Sequence, residues 1–303
     1  MNSLVSIARI RLKTVLKVAL SVPGLLFGVL RRHPPGLRVL FYHRVNPYPF
    51  DRLGPVSRET TVGVEAFGRQ LEYLRGRGFR TVKPDELLAM LAGRVRMDER
   101  AVAITFDDGY EDNLLYAAPL LQAHGFSAMV FVITDFMGKE SGAVWSEGDL
   151  PGFGRFLSQD QLRALPDAAL CAGSHSVSHR LLSHLDEAEL AFEARQSRQT
   201  LEAATGSTIS LFAYPGGDFD ARAQAASVQA GYAASFTTIP GLNHASTPLH
   251  ALRRTEVSAS DTLFVFRMKL AGALDWLWFK ESAAFRKTIN LTNRWLIRAA
   301  TRR

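Results

Sequence analysis

Cysteine is almost absent from this 303-residue chain, in which Cys171 stands alone. One thiol excludes an internal disulfide framework and any zinc site built on several cysteines. Cys171 reads as a small core residue beside a strand, and no role is given to it. Also missing is an unbroken apolar run of the roughly 20 residues that span a bilayer. The stretch from Val18 to Leu30 is shorter and is interrupted by Pro23 and Gly24. No small-residue cleavage site follows it, which argues against a secretory signal.

What is present is an ordinary globular composition, 47% hydrophobic, with a formal net charge of +7. The length suits one large domain with extensions. Residues 1–36 form a basic amphipathic segment. Arg9, Arg11, Lys13 and Lys17 alternate there with Leu4, Ile7, Leu12, Val15 and Val18. Residues 37–260 carry the strand and helix signals. Residues 261–303 hold Trp276, Trp278, Phe279, Phe285 and Trp295 among many Lys and Arg. Basic residues beside interfacial aromatics suit an anionic membrane surface, with the segment lying in the interface and not crossing it. No nucleic-acid recognition motif accompanies the charge, so no nucleic-acid partner is expected. The plain alternative is terminal helices packed on a barrel. With no export signal, the cytoplasmic face of a bacterial inner membrane is the expected location.

The chain is organised around Ala101 to Asn113, AVAITFDDGYEDN. An apolar strand ends in Asp107 and Asp108, followed by Gly109. A turn at Gly109 lets both acids face one pocket. Carboxylates at the carboxyl end of a buried strand are where α/β folds keep their chemistry. Two solvated turn residues are the plain alternative. The second stretch is AGSHSVSH, in which His175 and His179 are four apart. On a helical turn that spacing shares a face, and two His with one carboxylate suit a divalent ion with open positions. His184 is a possible third. Ser158 and Gln161 spell a capping box ahead of a short helix. Asp186 to Thr205 reads as a polar, solvated helix. Strands and helices alternate throughout, as in a βαβ barrel or a doubly wound sheet.

TFDDGY, then HSVSH, then FAYPGG at Phe212 to Gly217 resemble the first three motifs of the polysaccharide deacetylases, the NodB-homology enzymes of carbohydrate esterase family four. The resemblance covers about Leu37 to Val257. It implies a distorted (β/α) barrel of about seven strands and a divalent cofactor, usually Zn2+. It makes Asp107 the catalytic base and Asp108, His175 and His179 the metal ligands. The implied reaction is removal of an N-acetyl group from a polysaccharide or lipid-linked saccharide, as in exopolysaccharide biosynthesis. LRVLFYHRV resembles the early Tyr-His strand of a circularly permuted branch, and the late motif with the acid His is missing. His43 is therefore assigned as general acid, with His250 as the alternative. Tyr214, Pro215 and Gly216 are the implied acetate-pocket wall, and Trp145 on a Gly-rich loop is a candidate to stack on a sugar. The motif departs from the family twice. Ala213 replaces the Arg that orients the base, and Gly216 replaces an aromatic. Arg254, from a later strand, is the candidate substitute. These departures keep open an impaired glycan-binding barrel, or an amidohydrolase acting on a non-sugar amide.

Overall fold

The computed structural model describes residues 2–30, 36–145 and 148–281. Seven short parallel strands curl into a distorted barrel. In chain order they are β1 (Leu37–Tyr42), β2 (Ala101–Phe106), β3 (Ala128–Val132), β4 (Leu170–Ser174), β5 (Leu211–Ala213), β6 (Ala234–Phe236) and β7 (Thr255–Glu256). Each pairs with the next from β1 to β6, with Leu40 opposite Ile104, Val130 opposite Phe106, and Ser174 opposite both Val132 and Phe212. Leu252 bridges to Phe236 of β6, and β7 pairs in parallel with Leu40 and Phe41 of β1. The LRRTEV segment therefore links the two ends of the sheet. Every residue of β1, β2 and β3 is buried, as expected of parallel strands covered on both faces.

Strand alternation sorts the core into two clusters. Val39, Ala103, Met129, Phe131, Leu211 and Phe236 fill the barrel interior, together with Leu87 and Met90 of the helix Pro84–Leu91. Leu40, Ile104, Phe106, Val130 and Phe212 face the outer helices instead. The helix Val64–Gly76 presents Phe67, Leu71 and Leu74 to that layer. Ser158 and Gln161 make the expected capping box at the start of the helix Gln159–Ala164.

Two expectations need correction. The helix Glu187–Thr205 is not a solvated rod, because Leu190, Glu193, Ala194, Ser197, Leu201 and Ala204 are buried. The polar residues among them have buried partners, which a count of polar residues does not reveal. The N-terminal segment is one helix, Asn2–Leu30, with Pro23 inside it. Among the described residues no helix is long and apolar enough to cross a membrane. Phe285 and Trp295 lie outside the described residues.

Candidate metal centre and catalytic cavity

The interior face of β2 carries Ala101, Ala103 and Thr105, so the next inward position is Asp107. Its N–H still donates to the carbonyl of Tyr42, at 2.9 Å, which keeps the residue in sheet register. Inside the barrel it meets Arg254. Nη1 and Nη2 of Arg254 reach the two carboxylate oxygens at 2.6 and 2.8 Å. Arg254 is fully buried, donates Nε–H to the Thr237 carbonyl, and lies 4.5 Å over the Phe41 ring. A planar guanidinium suits this place, since it can fork onto a carboxylate while its face packs on aromatics. Burial works against ionisation of Asp107, yet Arg254, with help from His175 and His43, holds its carboxyl down at about 2.

Asp108 is the even-numbered neighbour and by alternation would point outward. It escapes the rule by taking a left-handed backbone, φ 72°, and Gly109 follows at φ 78°. A side chain at Gly109 would strike Val132, whose Cα lies 3.1 Å from the position of an added Cβ. The turn thus swings the second carboxylate back over the barrel mouth.

His175 extends β4 inward, its N–H bonded to the Val132 carbonyl at 2.9 Å. Its Nδ1 lies 2.8 Å from the Ala213 carbonyl oxygen. A carbonyl only accepts, so Nδ1 carries the proton and Nε2 presents its lone pair. The expectation of a helical turn between the two histidines is corrected. Residues 175–180 form an irregular loop in which Ser176 and His179 have φ of 68° and 60°. Glu193 shapes that loop by accepting from the N–H groups of Val177 and Ser178, at 2.8 and 3.0 Å, and from the Ser178 hydroxyl.

The loop brings the two rings within 4.9 Å, centroid to centroid. Oδ1 of Asp108 is 3.6 Å from Nε2 of His175 and 3.5 Å from Nε2 of His179. These separations are too long for good hydrogen bonds. They fit donors around one ion, since bonds of about 2.0–2.1 Å in tetrahedral geometry set ligands roughly 3.3–3.4 Å apart. Burial holds both imidazoles down at about 4, so each offers a neutral nitrogen at neutral pH. Burial, with repulsion from Asp107, raises the Asp108 carboxyl, while His43 and His175 oppose the rise. A cation among these donors would reverse it. The donor set therefore fits a divalent metal, and all three ligand atoms lie within 4.8 Å of one another.

A cavity of about 560 Å³ opens over the site, lined by Asp107, Asp108, His175 and His179 together with His43, Trp145 and Gly216. The Nδ1 of His43 is buried and has no hydrogen-bond partner among the described residues. Trp145 stands edge-on to His179 at 5.3 Å and donates Nε1–H to the Tyr110 hydroxyl, so it packs as well as lines.

Three of the expected substrate contacts lie elsewhere. Tyr214 is buried, stacked on Phe219, with its hydroxyl on the His250 carbonyl. Pro215 is buried too, and Arg254 lies behind Asp107. Of the YPG motif only Gly216 lines the cavity, because its φ of 59° turns the backbone there. His250 is held by the Ser227 and Ser235 hydroxyls and does not line the cavity, and His184 is exposed. Sequence reasoning missed Tyr110, Thr238 and Glu256 as lining residues, along with the role of Glu193. Only Tyr110, two positions past the acid pair, carried a signal.

Residues 94–235 match the family model described as polysaccharide deacetylase. The Bacillus subtilis (strain 168) protein YxkH, a polysaccharide deacetylase by name, is 26% identical over 225 residues, which are 74% of this chain and 72% of that protein. Among solved structures, the Streptococcus pyogenes deacetylase PplD in complex with acetate superposes with a TM-score of 0.66 at 20% identity, over 78% of this chain and 99% of that one. IcaB from Ammonifex degensii superposes with a TM-score of 0.65 at 25% identity, over 80% and 98%.

Proposed function

The chain carries a polysaccharide deacetylase domain, and on that premise we propose that it is a divalent-metal hydrolase removing N-acetyl groups from a saccharide. The observation that carries this reading is Oδ1 of Asp108 lying 3.5–3.6 Å from two neutral imidazole nitrogens. Asp108, His175 and His179 would hold the ion, with zinc the first candidate for such a set. When bound, a divalent cation supplies Lewis-acid activation of water and of the amide carbonyl.

The chain's own groups divide the remaining work. Asp107 faces the same cavity and is kept anionic by Arg254. It orients the attacking water and accepts its proton. The ion pair lowers its basicity and fixes its position, so orientation is the larger part of its role. His43, on the far side of the acid pair from the β4 histidines in the chain, protonates the departing amine. The backbone at Gly216 and the ring of Trp145 bound the space for the acyl group and the sugar. The substrate class is a polysaccharide or a lipid-linked saccharide, met at the cytoplasmic face of the inner membrane. The basic residues of the N-terminal helix support contact with an anionic membrane surface.

The test is acetate release from N-acetylglucosamine oligomers by zinc-loaded protein, alongside Asp107→Asn and His175→Ala. The expected result is release by the parent chain and loss in both variants. Bound metal without release would favour the glycan-binding alternative. Release from simple amides but not from sugars would favour a non-sugar amidohydrolase.

A further inference from the structure

The helix Asn2–Leu30 leaves an apolar stripe open to solvent and packs several polar residues on the barrel. A surface helix of a globular protein ordinarily buries its apolar face and exposes its polar one. Here Thr14, Lys17 and Ser21 meet the barrel beside the half-buried Ile7, Ile10 and Leu20. Thr14 donates to the Ser260 carbonyl at 2.7 Å, and Lys17 reaches Asp261 at 2.6 Å and the hydroxyls of Ser258 and Ser260. Asp261 is fully buried and is shared with the buried Lys269, at 2.5 Å. Ser21 is buried as well, and Gly24 lies so close to the Ala273 carbonyl that a Cβ there would collide with it.

The opposite side is apolar and open. Leu12, Val15, Leu16 and Val22 are 50–64% exposed, and Val18 is 36% exposed. They follow one another at helical spacings of three and four, so they form one stripe. Cations border it. Arg11 heads the row of Val15, Val18 and Val22. Arg9 and Lys13 flank the row of Leu12 and Leu16, steadied by Glu59 at 3.3 and 2.5 Å. Three cations against one carboxylate leave this margin positive.

From this juxtaposition we propose that the outward face of the helix is a docking surface for an anionic lipid bilayer. An apolar stripe with a basic margin lies in the headgroup region, its side chains among the acyl chains and its cations on lipid phosphates. The charge distinguishes this occupant from a second copy of a chain that is itself strongly basic. The docked geometry also bears on substrate. The short helix Pro55–Thr60 carries Glu59, which binds the N-terminal helix, and the 70% exposed Val56, which lines the catalytic cavity. A groove of about 360 Å³ between Leu16, Leu20 and Leu277 shares Thr238 and Glu256 with that cavity. A bilayer on the stripe therefore lies beside the active-site mouth, where a saccharide anchored in lipid would be presented. That last step rests on the deacetylase reading, whereas the docking itself does not.

Vesicle flotation of the full chain tests the docking without any catalytic readout. With vesicles containing one-third phosphatidylglycerol, most of the parent protein is expected to float. With neutral phosphatidylcholine vesicles, or in 0.5 M salt, flotation is expected to fall several-fold. The double variant Val15→Glu, Leu16→Glu is expected to lose at least tenfold in binding at an unchanged melting temperature. Single Leu12→Ser serves where the double variant unfolds, with a several-fold loss expected. Parent protein that stays with the soluble fraction in every lipid overturns the proposal. So does a folded variant that floats as well as the parent. A parent that is dimeric by light scattering and a variant that is monomeric, with no lipid dependence, would assign the face to a second copy instead.

Discussion

Asp107 and Arg254 form a closed fork: two guanidinium nitrogens on two carboxylate oxygens, at 2.6 and 2.8 Å, with the arginine fully buried. Arg254, the substitute expected for the Arg that Ala213 replaces, comes from the segment that joins β6 to β1. Removing one partner leaves the other charge buried and alone, which costs about 3–5 kcal/mol. Arg254→Met is expected to lower stability by that order and kcat by at least a hundredfold. Adding Asp107→Asn should restore much of the stability and none of the activity. Chemical denaturation and acetate release on the three variants separate the two effects.

His43 is assigned to the leaving group, so its loss should depend on what leaves. His43→Gln is expected to lower kcat on N-acetyl sugars by roughly 10²–10⁴-fold, the usual range for a positioned proton donor. Against 4-nitrophenyl acetate, whose leaving group needs no proton, the loss should be less than tenfold. Equal losses on both substrates would assign His43 to shaping the cavity.

Glu193 does not line the cavity, yet it holds the N–H groups of Val177 and Ser178 between the two histidines. Partners behind a ligand set typically matter by 10–100-fold in affinity. Glu193→Ala is expected to weaken zinc binding by about that factor, read by chelator competition. Gln at this position should recover part of the loss.

The histidine pair gives a pH signature in metal-free protein. Both imidazoles are held at about 4, against an ordinary 6.5, because they are buried. Between those values the unfolded chain binds protons that the folded chain does not. Stability contributed by the pair is therefore whole above pH 6.5 and is lost as pH falls toward 4. Melting temperatures of metal-free protein should decline through that window, and His175→Asn should flatten the decline.

Much of this site was legible because its chemistry is local in the chain. Asp107, Asp108 and Gly109 sit at the end of a strand whose alternation can be read by eye, and His175 extends another. What the sequence does not display is backbone hand. Left-handed residues at Ser176 and His179 replace the helix that a four-residue spacing suggests, and another at Asp108 turns its carboxylate over the barrel mouth. Nor does it display which way a motif faces, so Tyr214 reads as a pocket wall and turns out to be core. The N-terminal helix shows the same limit, because its amphipathic pattern does not say which side packs, and it is Lys17 that meets the buried Asp261 on the barrel.

Asp108, His175 and His179 are proposed to share one cation. X-ray absorption at the zinc edge of stoichiometrically loaded protein tests this. The expected result is one bound zinc per chain, with two imidazole nitrogens and oxygen donors at about 2.0–2.1 Å, and loss of the imidazole signal in His175→Ala. Zinc that fails to bind at stoichiometric concentration, or a first shell without histidine, would contradict it.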